Sequence, residues 1–273
     1  TMKGPGIFLA QFMADEPLKE NDGKKIALVG KLLQNMGVGT GSSVVAVPGV
    51  NIEYHALDIM GFCNRFMTAR AGKTGWFGRK GQDLARLPLG ENVFADVRYH
   101  VVDFSTSPVP DCIMLGGLRG SPSGLENEVK GITVGRKADV VFFLHTANVT
   151  RPLNERERER IGSSRNEFKL PQVARYVLNY ADGEKLEAPV ILEKHLDHWL
   201  QQQPVDLEGA AVAWHARVDE DREAVLYSMK VNNPRRDVEI ATIDILPGLD
   251  DRGNPANRAV PAVVAITTGT IAE

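Results

Sequence analysis

Cysteine is scarce in this chain, two among 273 residues, so a hydrophobic core rather than a disulfide framework must carry the fold. Cys63 and Cys112 both sit in apolar surroundings, the setting of free buried thiols, and a single bridge between them stays open in an oxidising compartment. Neither charge sign is in excess: 32 Lys and Arg face 35 Asp and Glu, a formal net charge of -3, and the two signs are interspersed. Phosphate-backbone binding needs a basic stripe, so nucleic acid is excluded as a partner. No apolar run approaches the ~20 residues of a membrane-crossing helix, and no basic-then-apolar leader opens the chain. Zinc signatures, a G-x-S-x-G elbow and a cysteine-nucleophile arrangement are missing as well.

Two glycine-bearing stretches imitate phosphate loops and fail on order. In GVGTGSS, Gly37 to Ser43, a helical pattern precedes the glycines and a strand pattern follows, the reverse of what anion binding at a helix N-terminus requires. Gly72-Lys73-Thr74 resembles the tail of a Walker A motif, but Met67 stands where the leading glycine belongs.

What the chain has in abundance is short alternating apolar runs. In Arg136 to Thr146, the residues Val140, Val141, Phe142, Phe143 and Leu144 are apolar on both alternating faces, the mark of a central strand covered on both sides. Gln172 to Tyr180 and Lys185 to Leu192 alternate about Asp182-Gly183 and predict a hairpin with a tight type I′ turn. Further strands are predicted at Ile52 to Asp58, Val97 to Asp103, Ile113 to Leu115, Val212 to Val218, Val225 to Val231, Val238 to Leu246 and Val260 to Thr268. Many short strands separated by Gly, Pro and Asn predict an all-β protein, a jelly-roll-like two-sheet β-sandwich over residues 51–273. Residues 1–50 differ: Asp22, Ile26, Val29, Leu33, Met36 and Gly37 carry the capping and spacing of a short helix, read as a docking segment or the tail of a preceding domain.

Two inserts interrupt the strand pattern. NERERERIGSSR, within Arg151 to Arg165, reads as a solvated loop in which Glu155 with Arg158, or Glu157 with Arg160, pair at helical spacing. EKHLDHWLQQ, Glu193 to Gln202, reads as a short helix or turn over the sandwich.

Candidate chemistry is sparse. Trp76, set among glycines and lysines in AGKTGWFGRKGQDL, is the leading candidate for a sugar-stacking ring. Arg79, Asp83 and Arg86 could supply polar partners or form ordinary ion pairs. Trp199 is a second candidate ring for a carbohydrate. His195 and His198, with Glu193 or Asp197, resemble an incomplete metal site and read better as surface histidines. His145 reads as a hydrogen-bonded core histidine. Asp250, Asp251 and Asn254 are possible calcium ligands without supporting spacing, and no cofactor is expected.

The succession NIEYHALDIMGFCNRF, GWFGRKGQDLARLPLGENVF, GITVGRKADVVFFLHTA, YVLNYADGEKLEAPV, NNPRRDVEIATIDILP and PAVVAIT resembles a jelly-roll, galactose-binding-like domain from Asn51 onward. Such domains recur in large bacterial extracellular proteins and beside polysaccharide-degrading catalytic domains. The resemblance implies a non-catalytic module that binds a polysaccharide or oligosaccharide, or supports a catalytic domain in the same or a partner chain. By the same resemblance an extracellular or periplasmic setting is favoured. Two alternatives stay open. One is a glycoside hydrolase or polysaccharide lyase with Trp76, His55, His145 and nearby acids facing one cleft. The other is a structural oligomerisation domain built on the first fifty residues.

Overall fold

The computed structural model describes residues 51–68, 75–78, 81–103, 109–161, 170–250 and 252–272. The helix and strand expected before residue 51, together with Gly72-Lys73-Thr74, Arg79 and Asp251, lie outside the described residues. In chain order the elements are β1 (Ile52–Ala56), β2 (Gly90–Phe94), β3 (Val97–Val101), β4 (Ile113–Met114), β5 (Val129–Arg136) and β6 (Val140–Val149). They continue with α1 (Glu155–Ile161), β7 (Gln172–Tyr180), β8 (Lys185–Ile191), β9 (Leu200–Gln201), β10 (Ala210–Arg217), β11 (Glu223–Asn232), β12 (Ile240–Pro247) and β13 (Ala259–Ile271). The described chain is all-β apart from this one short helix and a single 3-10 turn at Met60–Phe62.

Two antiparallel sheets form the sandwich. One has seven strands, β1-β13-β6-β11-β10 with β4 added on β13 and β9 on β11; the other runs β5-β12-β7-β8. The two-faced apolar pattern of β6 explains its place at the centre of the larger sheet, since Val140 to Ala147 are all buried. On one face Phe143 stacks on Tyr176 of β7, ring centroids 4.0 Å apart. On the other, Phe142 meets Tyr54 of β1 at 5.9 Å. The β2–β3 hairpin covers that second face as well: Tyr99 hydroxyl lies 2.6 Å from Ser228 Oγ of β11, and Thr267 Oγ1 donates to Arg98 carbonyl at 2.8 Å.

Three differences between sequence and structure in the sheets and their inserts have clear causes. The β7–β8 hairpin forms as expected, but its turn is not type I′. Tyr180 carbonyl accepts the Gly183 N–H at 3.0 Å, and Tyr180 N–H donates to Glu184 carbonyl at 2.9 Å. Within this turn only Gly183 has positive φ, +91°, so this is a type I turn closed by a left-handed glycine. Strand β5 escapes the alternation test because it carries two glycines in left-handed backbone, Gly131 (φ +79°) and Gly135 (φ +61°). Each coincides with a register shift against β12, the bulge geometry that only glycine adopts without strain. The first bulge is bound by Asp244, whose Oδ1 accepts the Gly131 N–H at 2.9 Å.

The charged insert is the third. Glu155–Ile161 is helical, not a solvated loop, and it starts with a capping box: Asn154 Oδ1 accepts Glu157 N–H and Glu157 Oε2 accepts Asn154 N–H, both at 3.0 Å. Its charges pair across the fold rather than along the helix. Arg158 makes a two-pronged bond to Glu193 at 2.6 Å on each arm. Glu157 receives Arg258 at 2.5 and 3.3 Å. These guanidinium bonds hold the Glu157 carboxyl down at about 2.

A polar relay centred on His145 lies between the sheets. His145 is fully buried; its Nε2 lies 2.9 Å from His195 carbonyl and its Nδ1 2.6 Å from Tyr176 hydroxyl. A carbonyl only accepts, so Nε2 carries the proton and the tyrosine O–H donates to Nδ1. Burial holds this imidazole down at about 3. Between that value and the ordinary 6.5, the unfolded chain binds a proton here that the folded chain does not. This contribution to stability is therefore complete above pH ~6.5 and shrinks as pH falls toward 3. Urea denaturation should show that loss on acidification. Tyr176→Phe, which leaves Nδ1 without its donor, should lower stability at pH 7 by about 1–3 kcal/mol; an unchanged midpoint would show that the relay carries no stability.

Candidate functional site

The segment that bears Trp76 is anchored from below by buried charge. Asp111 is fully buried, and its Oδ1 accepts the Met67 N–H at 2.5 Å. Met67 carbonyl then accepts Leu84 N–H at 3.0 Å, and Thr68 carbonyl accepts Trp76 N–H at 3.2 Å. Arg65, 2 % exposed, pairs its backbone with Cys112 and leaves Nε and Nη2 without hydrogen-bond partners. Burial lowers its affinity for the proton. The two thiols beside it are free, with Cys63 pushed up to about 12 and Cys112 pushed well up, both chiefly by burial. They behave as core groups, not nucleophiles.

Trp76 is a core residue, contrary to the exposed ring expected. It is 5 % exposed, Trp199 is 3 % exposed, and the two indoles meet edge to face at 5.8 Å. The sequence places them 123 positions apart, yet they form one aromatic plug, with Phe77 set edge-on against Trp76 at 5.0 Å. Trp199 also lies against the backbone of Gly78, where a Cβ would come within 2.8 Å of its ring. The half-buried ring of this group is Phe77. Asp83 is buried and its Oδ1 accepts Ala85 N–H at 3.0 Å; Arg86 is exposed.

Beside the plug opens a cavity of about 340 Å³, lined by Gly75, Trp76, Phe77, Gly120, Ser121, Pro122, Ser123 and Asn148. Of the expected site residues that are described, only Trp76 lines it. The opposite wall is held rigidly: Ser121 Oγ donates to Leu115 carbonyl and accepts Leu118 N–H, both at 3.1 Å. Asn148, near the end of β6, is half-buried beside it. Trp76 Nε1 is buried without a hydrogen-bond partner. Phe77 and Asn148 were missed in the sequence; their signals are the second ring of Gly75-Trp76-Phe77-Gly78 and the polar break ending the apolar run of β6.

A larger cleft of about 630 Å³ lies between the β7–β8 edge and the loop joining β12 to β13. Its walls combine Pro171, Pro189, Ile191 and Leu249 with Arg151, Gln172, Asp250, Asn257 and Arg258. Asp250 Oδ1 is occupied by the N–H groups of Arg252 and Asn254, each at 2.9 Å, and these bonds lower its carboxyl further. Among the described residues no group of three or more His, Cys, Asp or Glu side chains is placed to hold a metal ion, and no helix is long and apolar enough to cross a membrane.

The histidines are not surface groups on a helix. Residues 193–199 form turns and bridges, and the ring Nδ1 atoms of His195 and His198 accept the N–H groups of Ile191 and Leu200 at 3.1 and 2.9 Å. Burial lowers both imidazoles. His145 has both ring nitrogens engaged between the sheets, whereas His55 stands exposed on β1, so the two do not face one cleft with Trp76. No protein-family model matches the chain, and no curated protein or solved structure shows a significant match to it.

Because Trp76 fills the core, Trp76→Ala is expected to cost about 3–5 kcal/mol of stability, the usual range for deleting a buried aromatic. Urea denaturation checks this, and a cost under ~1 kcal/mol would restore the ring to the surface.

Proposed function

We propose that residues 51–273 form a carbohydrate-recognition sandwich of the jelly-roll, galactose-binding-like kind, attached to or acting beside a polysaccharide-active catalytic domain. The observation that carries the reading is the cavity at Phe77, which this half-buried ring lines together with Ser123 and Asn148, on a wall held by the Ser121 hydroxyl. A pyranose presents an apolar C–H face and a rim of hydroxyls, and a ring opposite neutral hydrogen-bonding groups matches both. The volume falls within the ~300–1,000 Å³ of small-molecule sites. The Ser123 hydroxyl and the Asn148 amide bond sugar hydroxyls in either direction and do not shuttle protons at neutral pH, which favours binding over hydrolysis at this cavity. The strand order supports the jelly-roll reading: β1-β13-β6-β11 lies against β5-β12-β7-β8, and successive strands of these eight fall in opposite sheets except at the β7–β8 hairpin.

Phe77 takes the stacking role first assigned to Trp76, and Trp76 supports it from behind with one unmatched N–H donor. Affinity electrophoresis through gels containing neutral polysaccharides tests this. Wild type should be retarded by at least one, with Phe77→Ala and Asn148→Ala each weakening retention by about tenfold, or ~1.4 kcal/mol, while both variants stay folded at the assay temperature. Retention equal to wild type in both variants would remove the cavity from the proposal.

A further inference from the structure

The second cleft carries an inference about ligand class that rests on the carbohydrate reading but concerns a different place. Its two amide side chains share one property: their oxygens are bonded to the protein. Gln172 Oε1 accepts Leu249 N–H at 3.2 Å, and Asn257 Oδ1 accepts Arg119 N–H at 3.0 Å. Each bond fixes its amide, so the NH2 of each faces away from that bond, and neither NH2 makes a hydrogen bond to another described residue. Asp250 Oδ1 is filled by two backbone N–H groups.

The charges are similarly arranged. Arg258 is 15 % exposed and turned onto Glu157, which neutralises it. Arg151 keeps only a loose approach to the same carboxylate, 3.7 Å, and its side chain is 60 % exposed. Its position is nonetheless set, because Arg151 N–H donates to Arg258 carbonyl at 3.0 Å. The cleft therefore offers two amide donors and the exposed Arg151 cation beside the apolar wall of Pro171, Pro189 and Ile191, with the Asp250 carboxylate as its one anionic lining group. A neutral sugar would use the donors and leave the cation idle, whereas a sugar bearing a carboxylate uses all three.

We propose that this cleft binds a uronic-acid-containing oligosaccharide, with the sugar carboxylate on Arg151, ring or hydroxyl oxygens on the Gln172 and Asn257 amides, and C–H faces against the prolines. The side-chain bonds of the cleft suggest variants that spare the fold. Gln172→Glu and Asn257→Asp keep the oxygen that accepts the backbone N–H and replace the donor with a negative charge. Arg151→Ala removes a largely exposed group.

Isothermal titration of the full chain with trigalacturonate, its methyl ester and a hyaluronan tetrasaccharide tests the assignment. At least one acidic probe should bind at millimolar concentration or below. The methyl ester should bind about tenfold or more weakly than trigalacturonate, and Arg151→Ala should lose about tenfold or more, the usual worth of a charge-assisted bond. Gln172→Glu and Asn257→Asp should each weaken binding, and Phe77→Ala should leave it unchanged. Failure of both acidic probes, equal binding of the methyl ester, or wild-type affinity in Arg151→Ala would overturn the inference. Loss on Phe77→Ala alone would also overturn it, moving the acidic ligand to the first cavity and leaving the carbohydrate reading intact. Acidic binding that depends on Arg151, in a protein that no neutral polysaccharide retards, would uphold this inference and remove the Phe77 cavity from the proposed function.

Discussion

The stacking of Phe143 on Tyr176, with the Tyr176 hydroxyl bonded to His145 behind it, is the contact on which the two sheets are registered. Apolar packing alone tolerates sliding, because one methyl against another is nearly as good a step along the strand. A buried imidazole does not. Its Nδ1 and Nε2 each need one partner at one distance, and a slip of β6 against β7 strands both at once. The His195 carbonyl that receives Nε2–H extends the same constraint to the segment after β8, which carries Trp199. Through Trp199 it reaches the aromatic plug under Phe77.

The far end of β6 is where both candidate binding surfaces meet. Asn148 lines the smaller cavity and Arg151, three residues on, lines the larger cleft. One hydrogen bond, Arg119 N–H to Asn257 Oδ1 at 3.0 Å, ties the loop of the first to the loop of the second. The helix α1 serves this end of the sandwich as a clamp. Arg158 grips Glu193 and Glu157 grips Arg258, so a segment that looks like a solvated run of charge fixes the cation balance of the cleft. Had Glu157 not turned Arg258 inward, two guanidinium groups would face the ligand instead of one.

Much of the scaffold was legible in the chain because the physics behind it is local. A strand buried on both faces must be apolar at every position, and Val140 to Leu144 satisfy that without reference to anything else. Alternation about Asp182-Gly183 likewise identifies a hairpin, since period two and a turn residue are sequence properties. The limit came where backbone geometry departs from the ideal. Glycines in the bulges of β5 broke its alternation, and the turn at Gly183 needed one left-handed residue where two were expected. The capping box of α1 was written in Asn154 and Glu157, yet the alternating charges after it drew the reading toward solvent.

Trp76 shows why the site was less legible than the fold. Exposure belongs to a residue's surroundings, and the ring that buries Trp76 comes from position 199. Glycines and lysines on either side say only that the chain turns and is solvated nearby. For His195 and His198 the spacing was visible, but that each ring turns its Nδ1 onto a backbone N–H, of Ile191 and of Leu200, was not. By itself, then, the sequence determined the all-β class, the central strand, the hairpin and the burial of His145, all consequences of periodicity and short-range turn chemistry. Which ring is buried, which arginine is neutralised and which amide keeps a donor for a ligand were decided only by tertiary structure, because each depends on a partner a hundred residues or more away in the chain or supplied by another element's backbone.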